Sequence, residues 1–315
     1  MPTIYELAKS HRSRLLQRES AATREILRAF QVVVDNLAPY IEALEEELKE
    51  NPALSATKVL LLERYKALES QLKTEIERFS ANAARITTEA QRVNTFEAFR
   101  EAAELIRGQS DAFLALPSRA MTSFIGLASD GSPLEKIFAD ISGGAVQGVK
   151  DAIIEGIAFG SSKRVASNLR KSFGTPAHRA LVISRQETLR AYKFAALSVY
   201  RDNPTIVKGW IWLSARSSRT CAVCWAMDGT KHKSDEDFGS HICCRCTPLP
   251  FIDKELPKTG VEIFDSLDAQ TQADILGKSK YELYSNGKIQ LMDLVETRNS
   301  RRWGKVRSEK ALRDL

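Results

Sequence analysis

The sequence predicts a mainly α-helical protein with one small β-rich knuckle, in which a long N-terminal helical hairpin precedes an α+β module. Three observations carry this prediction. Apolar residues recur at steps of three and four through the first third of the chain. One alternating stretch, Val207-Lys208-Gly209-Trp210-Ile211-Trp212-Leu213, is rich in aromatic and β-branched residues and reads as a strand. All five cysteines lie between Cys221 and Cys246, directly after that strand, and the rest of the 315-residue chain has none.

The first apolar stripe runs Ile26, Phe30, Val33, Leu37, Ile41, Leu44, Leu48, with Pro39 inside it, where a kink or break is expected. Asn51-Pro52 ends it. A second stripe, Leu61, Tyr65, Leu68, Leu72, Ile76, Phe79, has the same spacing, so the two helices should pair antiparallel and hide each other's stripe. Thr95 is a plausible cap for a further helix. Pro117 and Ser129-Asp130-Gly131-Ser132-Pro133 mark the main boundary. Short helices are expected from Pro133, over 146–159, over 161–172 and over about 176–200, separated by Gly143-Gly144 and Phe173-Gly174-Thr175-Pro176. After the strand and the cysteines, Pro248-Leu249-Pro250-Phe251 closes the knuckle, and helical patterns follow over 264–276 and 279–285 before the Asn286-Gly287 turn. Four segments result: a helical extension over 1–130, a helical part over 131–205, the β-rich knuckle over 206–252, and a helical, basic tail over 253–315.

Composition bounds the function classes. A hydrophobic content of 43% suffices for a substantial core, and a net charge of +6 permits nucleic acid or an acidic partner without demanding either. No apolar run approaches the roughly 18 residues of a membrane span. The start, Met1-Pro2-Thr3-Ile4-Tyr5-Glu6, has no apolar signal core, so a soluble protein of a reducing compartment is expected.

Thiol pairs at i, i+3 wrap one ion with a tight turn, and a second pair about twenty residues on closes a tetrahedron, which is the logic of a structural zinc site. Two closures satisfy the spacing. Cys221, Cys224, Cys243 and Cys246 form C-x2-C-x18-C-x2-C, and Cys221, Cys224, His241 and Cys244 form an equivalent set with one imidazole. An odd number of cysteines without a secretory signal speaks against disulfides. Trp225-Ala226-Met227-Asp228-Gly229-Thr230 is turn-like, unlike the context of a thioredoxin-type pair. A catalytic zinc of the deaminase type needs H-x-E ahead of its cysteines, and neither His11 nor His178 provides it.

The stretch from Ile183 to Pro250 resembles the phage Mu F-like family of minor head, or head morphogenesis, proteins of tailed bacteriophages. The matching residues are Arg185 and Glu187 on a helix, Trp210 or Trp212 on a strand, Arg219-Thr220-Cys221 with Cys224, Asp228-Gly229, and His241 with Cys244-Arg245-Cys246 and Pro248. The likeness extends over roughly 133–305; Gln186 departs from the family's threonine, and 215–218 lacks its usual aspartate. Cys243 stands where the family has a small or polar residue. The resemblance thus favours Cys221, Cys224, His241 and Cys244 as ligands of a structural Zn2+, with Cys246 as the alternative. It gives Arg185, Glu187, Asp228 and Arg245 supporting roles in the motif. It implies a non-enzymatic virion protein near the portal vertex, present in few copies, acting in head assembly or in DNA packaging and ejection. Its implied partners are the portal protein, then scaffold or major capsid protein and packaged DNA, with no membrane. Its implied location is the capsid interior, with the host cytoplasm during assembly.

The tail from Arg298 to Arg313 has seven basic residues against one acidic, which makes Arg298, Arg301, Arg302, Trp303, Lys305 and Arg307 candidate nucleic-acid contacts. The bland alternative is a solvated terminal helix. Two rival functions stay open at this level: a zinc-dependent nuclease or hydrolase using His232, His241 and Glu187, and a free-standing DNA-binding zinc protein.

Overall fold

The computed structural model describes residues 3–51, 54–108, 123–158, 162–252, 258–301 and 303–315. Long helices dominate: α1 (Ile4–Glu50), α3 (Glu63–Arg107), α4 (Leu134–Ala158) and α5 (Ser162–Arg201), with a short α2 (Ala56–Leu61). Then follow β1 (Gly209–Leu213), α6 (Ala222–Met227), β2 (Lys231–His232), β3 (Thr247–Phe251), α7 (Gly260–Asp265), α8 (Ala269–Leu276), α9 (Lys278–Ser285), β4 (Val295–Ser300) and β5 (Gly304–Glu309). The protein is therefore mostly helical with small antiparallel sheets, as expected. Two compact units form, one from 1–19, 91–125 and 186–315, the other from 20–90 and 126–185. The helices α1, α3 and α5 each contribute to both, so the units cut across the four sequential segments that the sequence marks out.

In the second of these units the two stripes do meet. Ile26, Val33, Leu37, Ile41, Leu44 and Leu48 share one core with Tyr65, Leu68, Leu72, Ile76 and Phe79, joined by Leu134, Ile137, Phe138 and Ile141 of α4. Cross-pairs show the antiparallel sense: Arg85 with Glu25 at 3.3 Å, Asn36 donating to Glu75 at 3.1 Å, Arg64 with Glu47 at 3.1 Å. Leu61, expected in the second stripe, is 66% exposed, because α2 ends there and Leu62 is extended.

Several expected breaks do not occur. Pro39 lies inside α1 on its exposed side, while Leu37 and Ile41 flanking it stay buried. Burial on both sides of the proline outweighs the roughly 3 kcal/mol that its missing N–H and ring clash cost. Pro176 is likewise inside α5, and Gly143-Gly144 inside α4. Gly144 earns its place sterically, since a Cβ there would stand 3.2 Å from the Arg179 side chain. Thr95 caps nothing; it lies within α3 and its hydroxyl donates to the Gln91 carbonyl at 2.7 Å. The expected boundary at Pro117 falls outside the described residues.

In the other unit, β1 is the centre of a three-stranded antiparallel sheet of order β2-β1-β3. Alternation sends Trp210 and Trp212 into one core with Leu189, Tyr192, Ala196 and Cys224, and Ile211 and Leu213 into another with Ala8, Leu105 and Leu249. Both faces are covered, which is why the strand has almost no polar residues. Pro248 and Pro250 fit β3 because it is an edge strand with no outer neighbour to receive an N–H.

Within the expected helical, basic tail over 253–315, the helical patterns appear as α7, α8 and α9, but the basic end is the hairpin β4–β5, paired from Val295↔Glu309 to Ser300↔Gly304. Val295, Thr297 and Val306 favour strands, and Gly304 supplies the positive φ of 66° next to the turn. Arg307 corrects the candidate DNA surface most sharply. It is buried, donates to the Phe238 and Gly239 carbonyls at 2.8 and 3.1 Å, and pairs with Glu236 at 2.8 Å. Lys305 also meets Glu236, at 3.1 Å, and Arg298 meets Glu296 at 2.6 Å. Arg301 and Arg298 are exposed and Trp303 is half-buried; Arg302 lies outside the described residues. Arg307→Ala should therefore lower the unfolding free energy by about 1–3 kcal/mol, since it leaves the Phe238 carbonyl without its donor and removes one of the Glu236 carboxylate's partners. Arg301→Ala should leave it within about 0.5 kcal/mol, and urea denaturation of both variants checks the contrast.

Candidate metal centre

The cysteines are delivered by two short segments. After β1, the Thr220 N–H bonds the Ser217 carbonyl at 2.8 Å and the Ser217 N–H bonds the Thr220 hydroxyl at 3.0 Å. This tight turn sets Cys221 at the N-cap of α6, with Cys224 one turn on. Every residue of α6 is buried. Its exit, Asp228-Gly229, is clipped to β1: the Gly229 N–H bonds the Trp212 carbonyl at 2.8 Å and the Trp212 N–H bonds that of Thr230 at 3.0 Å. Gly229 has a φ of 87° and sits 3.1 Å, as a would-be Cβ, from Thr259, so glycine is required twice over. Asp228 accepts from the Ser214 N–H and from Arg216 Nε, both at 2.6 Å. Burial pushes its carboxyl up, and these two donors offset the push only in part.

The second segment, 241–246, is held from α5. Gln186 Oε1 accepts the Cys243 N–H at 2.7 Å, Lys193 Nζ donates to the Cys244 carbonyl at 2.6 Å and to Ser240 at 3.2 Å, and the Tyr200 hydroxyl donates to the Pro248 carbonyl at 3.2 Å. Residues 186, 193 and 200 are seven apart, so they form one stripe on the helix. The resemblance assigns the bracing to Arg185 and Glu187. Glu187 is buried but accepts from Arg190 at 2.7 Å and Gln91 at 3.4 Å, and Arg185 is a half-buried residue of α5. The bonds to the loop and the start of β3 come from Gln186, the position that departs from the family pattern, and from Lys193 and Tyr200, which the motif did not mark. Their seven-residue spacing, which sets them on one side of the helix, was their one signal.

The donors converge. Cys221 Sγ and Cys224 Sγ stand 3.3 and 3.1 Å from His241 Nε2, and Cys224 Sγ stands 3.6 Å from Cys244 Sγ. Two groups result with donor atoms within 4.8 Å: Cys221–Cys224–His241 and Cys224–Cys244–Cys246, sharing Cys224. A tetrahedral ion with bonds of about 2.3 Å to sulfur and 2.0 Å to nitrogen places sulfurs about 3.8 Å apart and sulfur and nitrogen about 3.5 Å apart. The observed spacings are slightly tighter and suit an ion of that size. All five thiols are free. Cys243 joins neither group; its φ of 58° turns it out of the series. Arg245 is exposed.

Charge supports the same conclusion. Hydrogen bonding with Cys224, then with His241, brings the Cys221 thiol down to about 5. Burial alone would lower His241, but its bonds to Cys221 and Cys244 outweigh that and raise it to about 11. Cys224, facing Cys221 and Cys244 as thiolates, is pushed up. Burial would raise Cys244, yet donors at Cys224 and Cys246 and the Lys193 charge bring it down. An imidazolium among thiolates stands where a divalent cation would neutralise the same field. His232 is elsewhere engaged: it stacks on Trp210 at 4.1 Å and 15°, and meets Thr230 at 2.8 Å and Glu236 at 3.1 Å.

Two outcomes test the site. At pH 7 the Cys224 thiol and the His241 imidazolium hold protons that an incoming cation must displace, so affinity should rise with pH by about tenfold per unit for each proton released. Chelator competition for zinc between pH 6 and 8 measures this, and a flat profile contradicts it. Cys224→Ser should abolish stoichiometric zinc binding, whereas Cys243→Gly should retain it and, by relieving the positive φ, raise stability by up to about 1 kcal/mol. Metal analysis and thermal unfolding read the two together.

Residues 147–249 match the family described as Phage Mu protein F like protein. No curated protein and no solved structure matches the chain. The matched stretch runs from within α4 through α5, β1, α6 and β2 into β3, and includes every member of the sulfur and imidazole cluster. That stretch, about a third of the chain, is similar to the phage Mu protein F like family.

Proposed function

We propose that this chain is a minor head protein of a tailed bacteriophage, acting in head morphogenesis at the portal vertex, with a structural zinc ion closing its knuckle. The observation that carries the reading is the coincidence of the family match with a preformed donor cluster. Cys221, Cys224, His241 and Cys244 would hold the ion, because Cys224 lies 3.1 Å from His241 and 3.6 Å from Cys244 and so joins the two donor groups, with Cys246 of the second group as the alternative. Bound zinc would cross-link α6 to the 241–246 loop and contribute directly to folding of this module.

The role is structural rather than catalytic. The residues that a hydrolytic reading would use are engaged apart from one another: Glu187 with Arg190 and Gln91, His232 with Trp210 and Glu236, His241 with the thiols. The partner is the portal protein, with scaffold, major capsid protein and packaged DNA as further contacts in the capsid interior. Among the described residues no helix is long and apolar enough to cross a membrane.

Mass spectrometry of purified heads, deep enough to detect rare components, should find this chain, and pull-down with the portal protein should retain it. Heads complete without it, or a full-length protein that folds equally well stripped of zinc, would sink the reading.

A further inference from the structure

Beside the donor cluster lies a cavity of about 180 Å³. His241 and four cysteines, Cys243 among them, line one part of it, Leu16 and Ala215 another, and Arg219 and Arg245 a third, with Ser217 and Thr220. Among the described residues no carboxylate lines it. Most arginines of this unit have a carboxylate to bond: Arg14 has Glu101, Arg201 has Asp237, Arg216 has Asp228. Arg219 and Arg245 have no such partner among the described residues, and both are exposed.

We propose that this cavity is an oxyanion site whose ligand is a phosphate group, either free or as the diester of a nucleic-acid backbone. Each guanidinium presents a planar fork of donors. A carboxylate has one edge and satisfies one fork. A free tetrahedral phosphate has oxygens enough for two forks at once, and the two non-bridging oxygens of a diester can each meet one guanidinium. The apolar wall of Leu16 and Ala215 lowers the local dielectric and strengthens such pairs.

Placement of the two arginines is fixed by the fold. Arg219 sits in the Ser217–Thr220 turn, two residues before Cys221, and Arg245 lies between Cys244 and Cys246. Whatever holds the cysteines also holds both arginine backbones, so binding has only the two side chains left to order. The donor cluster does not occupy these guanidiniums: His241 meets Cys221 and Cys224, Lys193 donates to the Cys244 carbonyl, and the buried Arg12 donates to the Ser214 carbonyl. The site is separate from the β4–β5 hairpin, whose buried Arg307 serves packing.

The test uses the zinc-loaded full chain with inorganic phosphate, acetate at equal ionic strength, and a short single-stranded oligonucleotide, read by calorimetry and thermal shift. Phosphate should bind and raise the melting temperature, and acetate should not. Arg219→Gln with Arg245→Gln should weaken phosphate binding by about tenfold or more, with zinc content and circular dichroism unchanged. Should that double variant fail to fold, Arg245→Lys alone, which keeps the charge and loses the fork, should still bind phosphate measurably more weakly. Oligonucleotide binding that exceeds phosphate binding and disappears in the variant identifies the diester as the source; phosphate binding alone identifies the free ion. Binding unchanged in the variants, or acetate equal to phosphate, overturns the proposal.

Discussion

The sulfur of Cys224 is the point on which the C-terminal module depends. It belongs to both donor groups, so it joins α6 to the loop of His241 and Cys244. Because α6 is wholly buried and its exit is clipped to β1, holding this one sulfur holds the helix, the sheet centre and the loop in a common frame. Without a cation, the frame relies on thiolates sharing protons with thiols and an imidazolium, an arrangement of charges packed in low dielectric. A divalent cation satisfies the same donors with fixed geometry, which is why metal binding and local folding are coupled here.

Around that point the buried polar groups act as positioning devices. Lys193 is buried, and its ammonium is satisfied by a carbonyl and a hydroxyl and lies 4.9 Å from the Phe238 ring centre. An unpaired buried ammonium would be strongly destabilising, so this one fixes the loop in a single place. Aromatic packing extends the frame outward. Trp212 stacks on Phe238 at 4.1 Å, and the Arg307 guanidinium lies 5.5 Å from the Trp212 ring. The hairpin is thereby locked onto the knuckle through a cation that the sequence offers as part of a basic tail.

Much of this was legible in the residues. The three-and-four stripes from Ile26 to Leu48 and from Tyr65 to Phe79 bury as expected, because helical periodicity leaves few other ways to hide so much apolar surface. The strand at β1 and the convergence of the cysteine segments were also legible, since thiol pairs at this spacing suit a single ion. The breaks were not. Pro39, Pro176, Gly143 and Thr95 disfavour helix locally, but tertiary burial on either side outweighs a local cost of a few kcal/mol. The hairpin was missed because a run of cations dominates the reading of 298–313, while strand formation there rests on Val295, Thr297 and Val306.

The sequence by itself determined the mainly helical class, the antiparallel pairing of the first two stripes, the place of the knuckle and the identity of the six candidate donors. Periodicity and the chemistry of thiols and imidazole are local properties, and a chain cannot conceal them. Tertiary structure alone decided which donors share a point in space, that Cys243 joins neither donor group, and that Gln186 and Lys193 hold the loop while Tyr200 holds the start of β3. It also decided that Arg307 is buried while Arg219 and Arg245 line a cavity with no carboxylate among the described residues. Those outcomes depend on which distant groups meet, and the identity of a charged residue says nothing of whether a partner is waiting for it.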